Sequence, residues 1–284
     1  MFKQVLKGIF KDSVLNYIYY DREESNSIDY LQEALQECNK IIKESPPGRL
    51  KISISHNSYQ FRHITSKNNI QIQKYLSKHK DEEIIKFLAN KKYCFDLKKE
   101  LLAEIESLKQ GKIINNPDAK YQIYDNIHPS IKHYIRPIYP SPEYILDLWN
   151  KEQWIPNTYK EEKKDLETNR GEIVRSKSEK MIADLLLLNS DIEYVYEKGF
   201  QLICNGRIVF PDFIILNKKT GRIYIWEHAG MIGDDGYDSD FIRKHNDYIL
   251  SGLRLGDNLL YTFEGENKNF NTKVAIKNTE LITK

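Results

Sequence analysis

Two short segments hold the residues best suited to chemistry: Phe210-Pro211-Asp212-Phe213-Ile214-Ile215 and Ile223-Tyr224-Ile225-Trp226-Glu227-His228. Each reads as a buried β-strand with one carboxylate. A buried carboxylate is costly unless it is paired or binds a metal. Asp212 and Glu227 on neighbouring core strands are therefore candidate ligands for a divalent cation. Oxygen ligands of this kind suit Mg²⁺, which keeps several waters and takes one or two carboxylates plus substrate phosphate.

The segment around Asp212 is apolar on both faces, which predicts a central strand. Pro211 cannot donate to a ladder and predicts a bulge or distortion there, a feature that re-aims side chains near active sites. The plain alternative is a strand-end or loop Asp capped by backbone N–H. Period-two alternation puts Glu227 with Ile223 and Ile225, and Tyr224, Trp226 and His228 on the other face. For Glu227 the plain alternative is a strand-end carboxylate paired with a lysine. Glu179 shares a helix face with Ile182, Ala183 and Leu186. It either points a third carboxylate at the same site or closes the capping box Ser176-Lys177-Ser178-Glu179. His228 is expected in a packing or supporting role, and the remaining histidines fit no zinc spacing.

The elements that must hold these residues follow from periodicity. Residues 173–188 read as a helix, and 194–196 and 200–203 as strands. Asn205-Gly206 is a hairpin turn. Strands are expected over 207–216, 222–228 and 258–263, with a turn at 217–221 and a helix at 238–250. The order helix, three or four strands, helix, strand predicts an α/β sandwich. Upstream, a helical stripe runs over 28–42 and stops at Ser45-Pro46-Pro47-Gly48. Alternation over 50–54 and 59–64 predicts a hairpin, with a third strand at 71–75. A long helix covers 81–110. The proline-rich stretch 115–156 reads as irregular around one short helix at 143–150, and the charged run 160–170 as a linker. This gives a helical first domain, 1–165, with a β-hairpin near 49–64, and a second domain, 171–284.

Helix Glu179, then Pro211-Asp212, then Glu227 on the next strand resembles the PD-(D/E)XK (restriction-endonuclease-like) nuclease superfamily, over roughly 171–263. The resemblance implies a mixed α/β fold with an αβββαβ core. It implies Mg²⁺ or Mn²⁺ bound by Asp212 and Glu227, with Glu179 as accessory ligand. A lysine two residues after the second acid normally orients the attacking water, but here that residue is Ala229. In some branches the lysine has migrated to the following helix, where Lys244 is the candidate, flanked by Phe241 and Tyr248 at i−3 and i+4. The catalytic set so implied is Glu179, Asp212, Glu227 and Lys244, with His228 and Tyr248 in support. The stretches around Arg175-Ser176-Lys177 and Trp226-Glu227-His228-Ala229-Gly230-Met231 also look like uncharacterised low-GC Gram-positive bacterial proteins. They are similar too to a nuclease-like appendage of some bacterial superfamily 1 helicases. No Gly-x-x-x-x-Gly-Lys motif is present, so a motor would be a separate chain.

The bulk numbers fit a soluble cytoplasmic protein, and the resemblance implies a bacterial one. The 284 residues carry a net charge of +2, and no apolar run is long enough to suggest a membrane span. Cys38, Cys94 and Cys204 are widely spaced and suit a reducing compartment. Residues 1–165 hold 27 basic and 23 acidic residues against 16 and 18 in the rest. That balance permits a grip on DNA by the first part, through Arg49, Lys51, Arg62 and His63, with Arg175 added from the second. The expected function is a Mg²⁺-dependent deoxyribonuclease, endonuclease rather than exonuclease, in phage defence or DNA processing. RNA stays open as a substrate. The alternative is a catalytically inactive nuclease fold that binds DNA or a protein, and Ala229 supports it. Expected partners are DNA and either a second copy of the chain or a separate helicase or defence protein, with no membrane.

Overall fold

The computed structural model describes residues 13–18, 26–114, 116–159, 165–233, 235–264 and 270–283. The chain has a mixed α/β fold and divides into two compact units. One spans 26–141, and the other holds 142–283 together with 13–18. Sequence alone placed the boundary in the charged run at 160–170. Residues 160–164 lie outside the described residues. Just after them Leu166–Glu167 (β5) pairs with Ile173–Val174 (β6), so this part of the run is built into the second unit.

In the first unit, α1 (Ile28–Glu44) begins at Ser27, whose hydroxyl caps Tyr30 N–H, and buries Leu31, Ala34 and Cys38 along one stripe. Next come β1 (Arg49–Ser55), β2 (Ser58–Lys67) and β3 (Ile70–Leu76), an antiparallel sheet in that order. Its two hairpins turn at His56-Asn57 and Asn68-Asn69, all with positive φ, +47 to +62°, as type I′ turns require. The long α2 (Glu82–Lys109) buries Ile85, Leu88, Cys94, Leu97, Leu101 and Ile105. It also buries Glu104, whose carboxylate takes Lys120 Nζ at 2.7 and 2.9 Å. Lys120 belongs to α3 (Ala119–Asp125), which with α4 (Pro129–Lys132) makes this proline-rich stretch more ordered than its composition predicts. Pro129 sits in the first turn of α4, where a missing N–H costs nothing. Tyr93 Oη meets the N–H groups of Ile138 and Tyr139, tying the following loop to α2.

The second unit carries α5 (Pro142–Lys151), then β4 (Ile155–Pro156), which pairs with β8 (Lys198–Gln201). The helix expected over 173–188 starts late. Ser176 is extended and caps Glu179 N–H, so α6 runs Lys177–Leu187 and Ile173–Val174 is strand. The central sheet has the order β12 (Leu259–Phe263), β11 (Ile223–Ala229), β10 (Phe213–Asn217), β7 (Ile192–Tyr196). β7, β10 and β11 are antiparallel, while β11 and β12 are parallel and joined through α7 (Asp235–Leu250). The strand expected over 207–216 is interrupted. Ile208–Val209 (β9) pairs with β8, and Phe213 opens β10 after the gap at Phe210-Pro211-Asp212. A final helix, α8 (Thr272–Ile282), was not foreseen from the sequence.

Both central strands are buried along their whole length because both faces of the sheet are covered. On one face Tyr196, Phe213, Ile215, Tyr224, Trp226 and Leu260 pack with Ile182, Ala183 and Leu186 of α6 and Ala275 and Ile282 of α8. On the other face Tyr248 of α7 reaches Glu227 and stacks on Phe200.

A candidate active site at one end of the central sheet

Phe213 pairs with Trp226, so the same register carried back one residue sets Asp212 opposite Glu227. Pro211 is the reason Asp212 lies on a bend just before β10 rather than inside the ladder. The bend is fixed from both sides. Asp212 O accepts Glu197 N–H at 2.9 Å, and Asp212 Oδ2 accepts His228 N–H at 2.5 Å. Glu197 is a non-glycine residue at φ +46°, in the tight step between β7 and β8. Arg175 holds it there, with Nε 2.6 Å and Nη2 3.2 Å from the two carboxylate oxygens. Arg175, expected on nucleic acid, is thus engaged in an internal fork-to-fork ion pair.

Glu227 is buried, on the face turned to α7. Its Oε1 lies 2.6 Å from Lys244 Nζ and accepts Tyr248 O–H at 2.5 Å. Lys244 Nζ also donates to Phe210 O at 2.9 Å, so one ammonium bridges the loop before Asp212 and the carboxylate of β11. Glu179 reaches the same end of the sheet from the opposite layer. Its Oε2 accepts Tyr196 O–H at 2.7 Å and Arg175 N–H at 2.9 Å. The capping box is therefore shifted by one residue, since the carboxylate returns to the N–H before Ser176. The capping and site-facing readings are not exclusive: the carboxylate that caps the backbone also acts on Asp212.

The electrostatics follow from this crowding. Burial holds the Asp212 carboxyl well above the ordinary carboxylate range, and the charges of Glu227 and Glu179 push it further. Lys244 and the His228 N–H pull the other way. The Tyr248 phenol is raised by burial and by Glu227, so it stays a donor to that carboxylate. His228 turns away, as alternation requires. Its Nδ1 meets Thr262 Oγ1 at 3.0 Å, and its buried Nε2, 3.8 Å from Glu264 Oε1, has no hydrogen-bond partner. Burial lowers its pKa, opposed by Glu264. Its contribution at Asp212 is made through its backbone.

Sequence reading did not find Glu197, Glu264 or the aromatic wall beside the carboxylates. Tyr261 stands opposite Glu227 in the parallel register, Phe241 packs on it at 5.2 Å, and half-exposed Phe263 stacks at 5.7 Å. The Tyr237 phenol, stacked on Phe241, is raised by burial and by Asp212 and Glu227. Arg49, Lys51 and Arg62 lie in the three-stranded sheet of the other unit.

Among the described residues no group of three or more His, Cys, Asp or Glu side chains is arranged to hold a metal ion. A cation bound by one or two carboxylates asks less. Two oxygens are suited to it: Asp212 Oδ1 and Glu227 Oε2, which no described residue hydrogen-bonds. The mutual repulsion of three carboxylates against one lysine is what a divalent ion would relieve. No helix of the described residues is long and apolar enough to cross a membrane. No family model, curated protein or solved structure matches the chain.

Proposed function

We propose that the chain is a metal-dependent nuclease that hydrolyses phosphodiester bonds of DNA, with the restriction-endonuclease-like core over 171–263. The observation that carries this reading is the meeting of Asp212, Glu227 and Lys244 at one end of the sheet, with Lys244 supplied by the helix after β11. Ala229 leaves the usual lysine position vacant, and the 2.6 Å contact from Lys244 supports a replacement from α7.

Asp212 and Glu227 would be the residues to hold Mg²⁺ or Mn²⁺. Such an ion would supply Lewis-acid polarisation of the phosphate and a lowered pKa for a coordinated water. The protein does the rest. His228 N–H and Glu197 N–H fix Asp212, and Tyr248 O–H fixes Glu227. Lys244 Nζ donates a hydrogen bond to the attacking water or to the phosphate oxygens as charge develops on them. Glu179 sets the local negative potential and keeps the start of α6 in register.

The test is cleavage of labelled single-strand, duplex, flap and RNA substrates with Mg²⁺, Mn²⁺ or EDTA, beside Asp212→Ala and Lys244→Ala. Metal-dependent cleavage lost in both variants supports the nuclease and the role of Lys244. Loss in Asp212→Ala alone keeps the nuclease and removes Lys244 from it. An inactive wild type rejects the reading in favour of an inert nuclease fold.

A further inference from the structure

Residues 45–80 contain no Asp or Glu, although the chain average would place about five there. The same stretch carries Arg49, Lys51, Arg62, Lys67, Lys74, Lys78 and Lys80, and it is the segment that folds into β1, β2 and β3. Among the described residues none of these seven cations is in an ion pair.

The register makes the charge more telling than the count. Lys51 stands directly opposite Arg62, and Arg62 directly opposite Tyr75, so the three form one row across one face. On the other face His63 stands opposite Lys74. Like charges directly opposed across strands destabilise a sheet, and no acid within the sheet offsets them. The nearest relief for Arg62 is a 3.5 Å contact with the neutral Gln60 amide. Beside the row on that face stand Ser53 and Gln60 on one side, and Arg49, buried Ile64 and Gln73 on the other, so a third cation flanks the pair. Tyr75 is 58 % exposed, on an edge strand that is open to solvent along nearly all its length.

We propose that the Lys51–Arg62–Tyr75 row binds single-stranded nucleic acid, with the two cations on the phosphate backbone and a base stacked on Tyr75. A phosphate between Lys51 and Arg62 removes the repulsion between the two cations. Neighbouring strands lie about 4.8 Å apart, so the row spans roughly 10 Å, a reach that takes in a phosphate and the base next to it. An exposed ring on an open sheet can stack only on an unpaired base, which is why the occupant is a single strand rather than a duplex. The proposal rests on charge and register in the 26–141 unit and needs neither Asp212 nor a metal.

Fluorescence anisotropy with labelled oligo(dT) and a duplex of equal length, on the full chain in EDTA, tests it separately from cleavage. An inactive but binding protein would sink the nuclease and leave this site standing. Lys51→Ala/Arg62→Ala should weaken oligo(dT) binding at least about tenfold and flatten the log–log salt slope by about 1.4, two phosphates' worth for a single strand. Tyr75→Ala should weaken it at least about fivefold with the slope unchanged, and Tyr75→Phe should restore it. Lys109→Ala/Lys112→Ala, outside the sheet, should change little. Because the paired cations repel, the Lys51/Arg62 variant should melt no lower than the parent, which separates lost binding from lost folding. No oligo(dT) binding by the wild type at low salt would overturn the proposal. So would a Lys51/Arg62 variant that binds like the wild type, or tighter duplex binding indifferent to Tyr75.

Discussion

Replacing Arg175 by methionine separates two roles for one residue. Its guanidinium gives two hydrogen bonds to Glu197, at 2.6 and 3.2 Å, and the side chains of the pair are 19 % and 8 % exposed. Breaking a fully buried ion pair from one side costs about 3–5 kcal/mol, mostly because the other charge is stranded. Some water reaches Arg175, so the expectation falls to about 2–3 kcal/mol. For a unit of this size that lowers the melting temperature by about 4–12 °C. Arg175→Met/Glu197→Gln, which leaves no stranded charge, should regain about 1 kcal/mol or more relative to Arg175→Met. Loosening Glu197 also loosens the N–H that holds Asp212 O, so any cleavage activity should fall with stability.

A residue that meets DNA phosphate behaves differently. Its loss leaves the melting temperature near the parent's and flattens the salt slope of binding by about 0.7–0.9. Thermal denaturation and a salt titration of binding, run on the same three proteins, give both readouts. An Arg175→Met protein that melts within about 2 °C of the parent and has a flattened salt slope would refute the internal role.

Lys120→Met strands Glu104 in the core of the first unit and should cost about 3–5 kcal/mol by urea denaturation, whereas Glu104→Leu/Lys120→Met should return to within about 1 kcal/mol of the parent. Equal losses in the single and double variants would contradict this. Folded Asp212 keeps its proton to a higher pH than the unfolded chain does, so folding takes up a proton above about pH 4 and stability falls as pH rises through the raised pKa. In EDTA, Asp212→Asn should therefore melt above the parent at pH 7, and the gap should close towards pH 4. A gap that does not change with pH would count against the crowded carboxylates. Tyr248→Phe removes a buried donor to a charged acceptor and should cost about 1.5–3 kcal/mol, and a loss under about 0.5 kcal/mol would mean that the hydroxyl does not serve Glu227.

Much of the site could be read from the sequence because local pattern determined it. Period-two alternation set Glu227 apart from Trp226 and His228, and the structure turns Glu227 to Tyr248 and His228 to Thr262. Pro211 signalled the break before β10 because a missing N–H disrupts a ladder wherever it falls. Where local pattern fits two states it failed. Ile173-Val174 suits a helix face or a strand, and only its pairing with Leu166-Glu167 decides for strand. The late start of α6 then follows from Ser176 being extended. Charged residues were the hardest, because their place depends on a partner distant in sequence. Glu104 and Lys120 look like solvated positions until they are seen facing each other in a core, 16 residues apart. Arg175 reads as a phosphate ligand until Glu197, 22 residues on, takes its guanidinium. Lys51 and Arg62 are the converse: the acid-free stretch around them is visible in the sequence, but only the strand register shows that two of its cations stand directly opposite each other. A buried charge finds its partner within the chain, whereas exposed Lys51 and half-buried Arg62 stand opposite each other with none among the described residues, which is the ground on which the phosphate site is proposed.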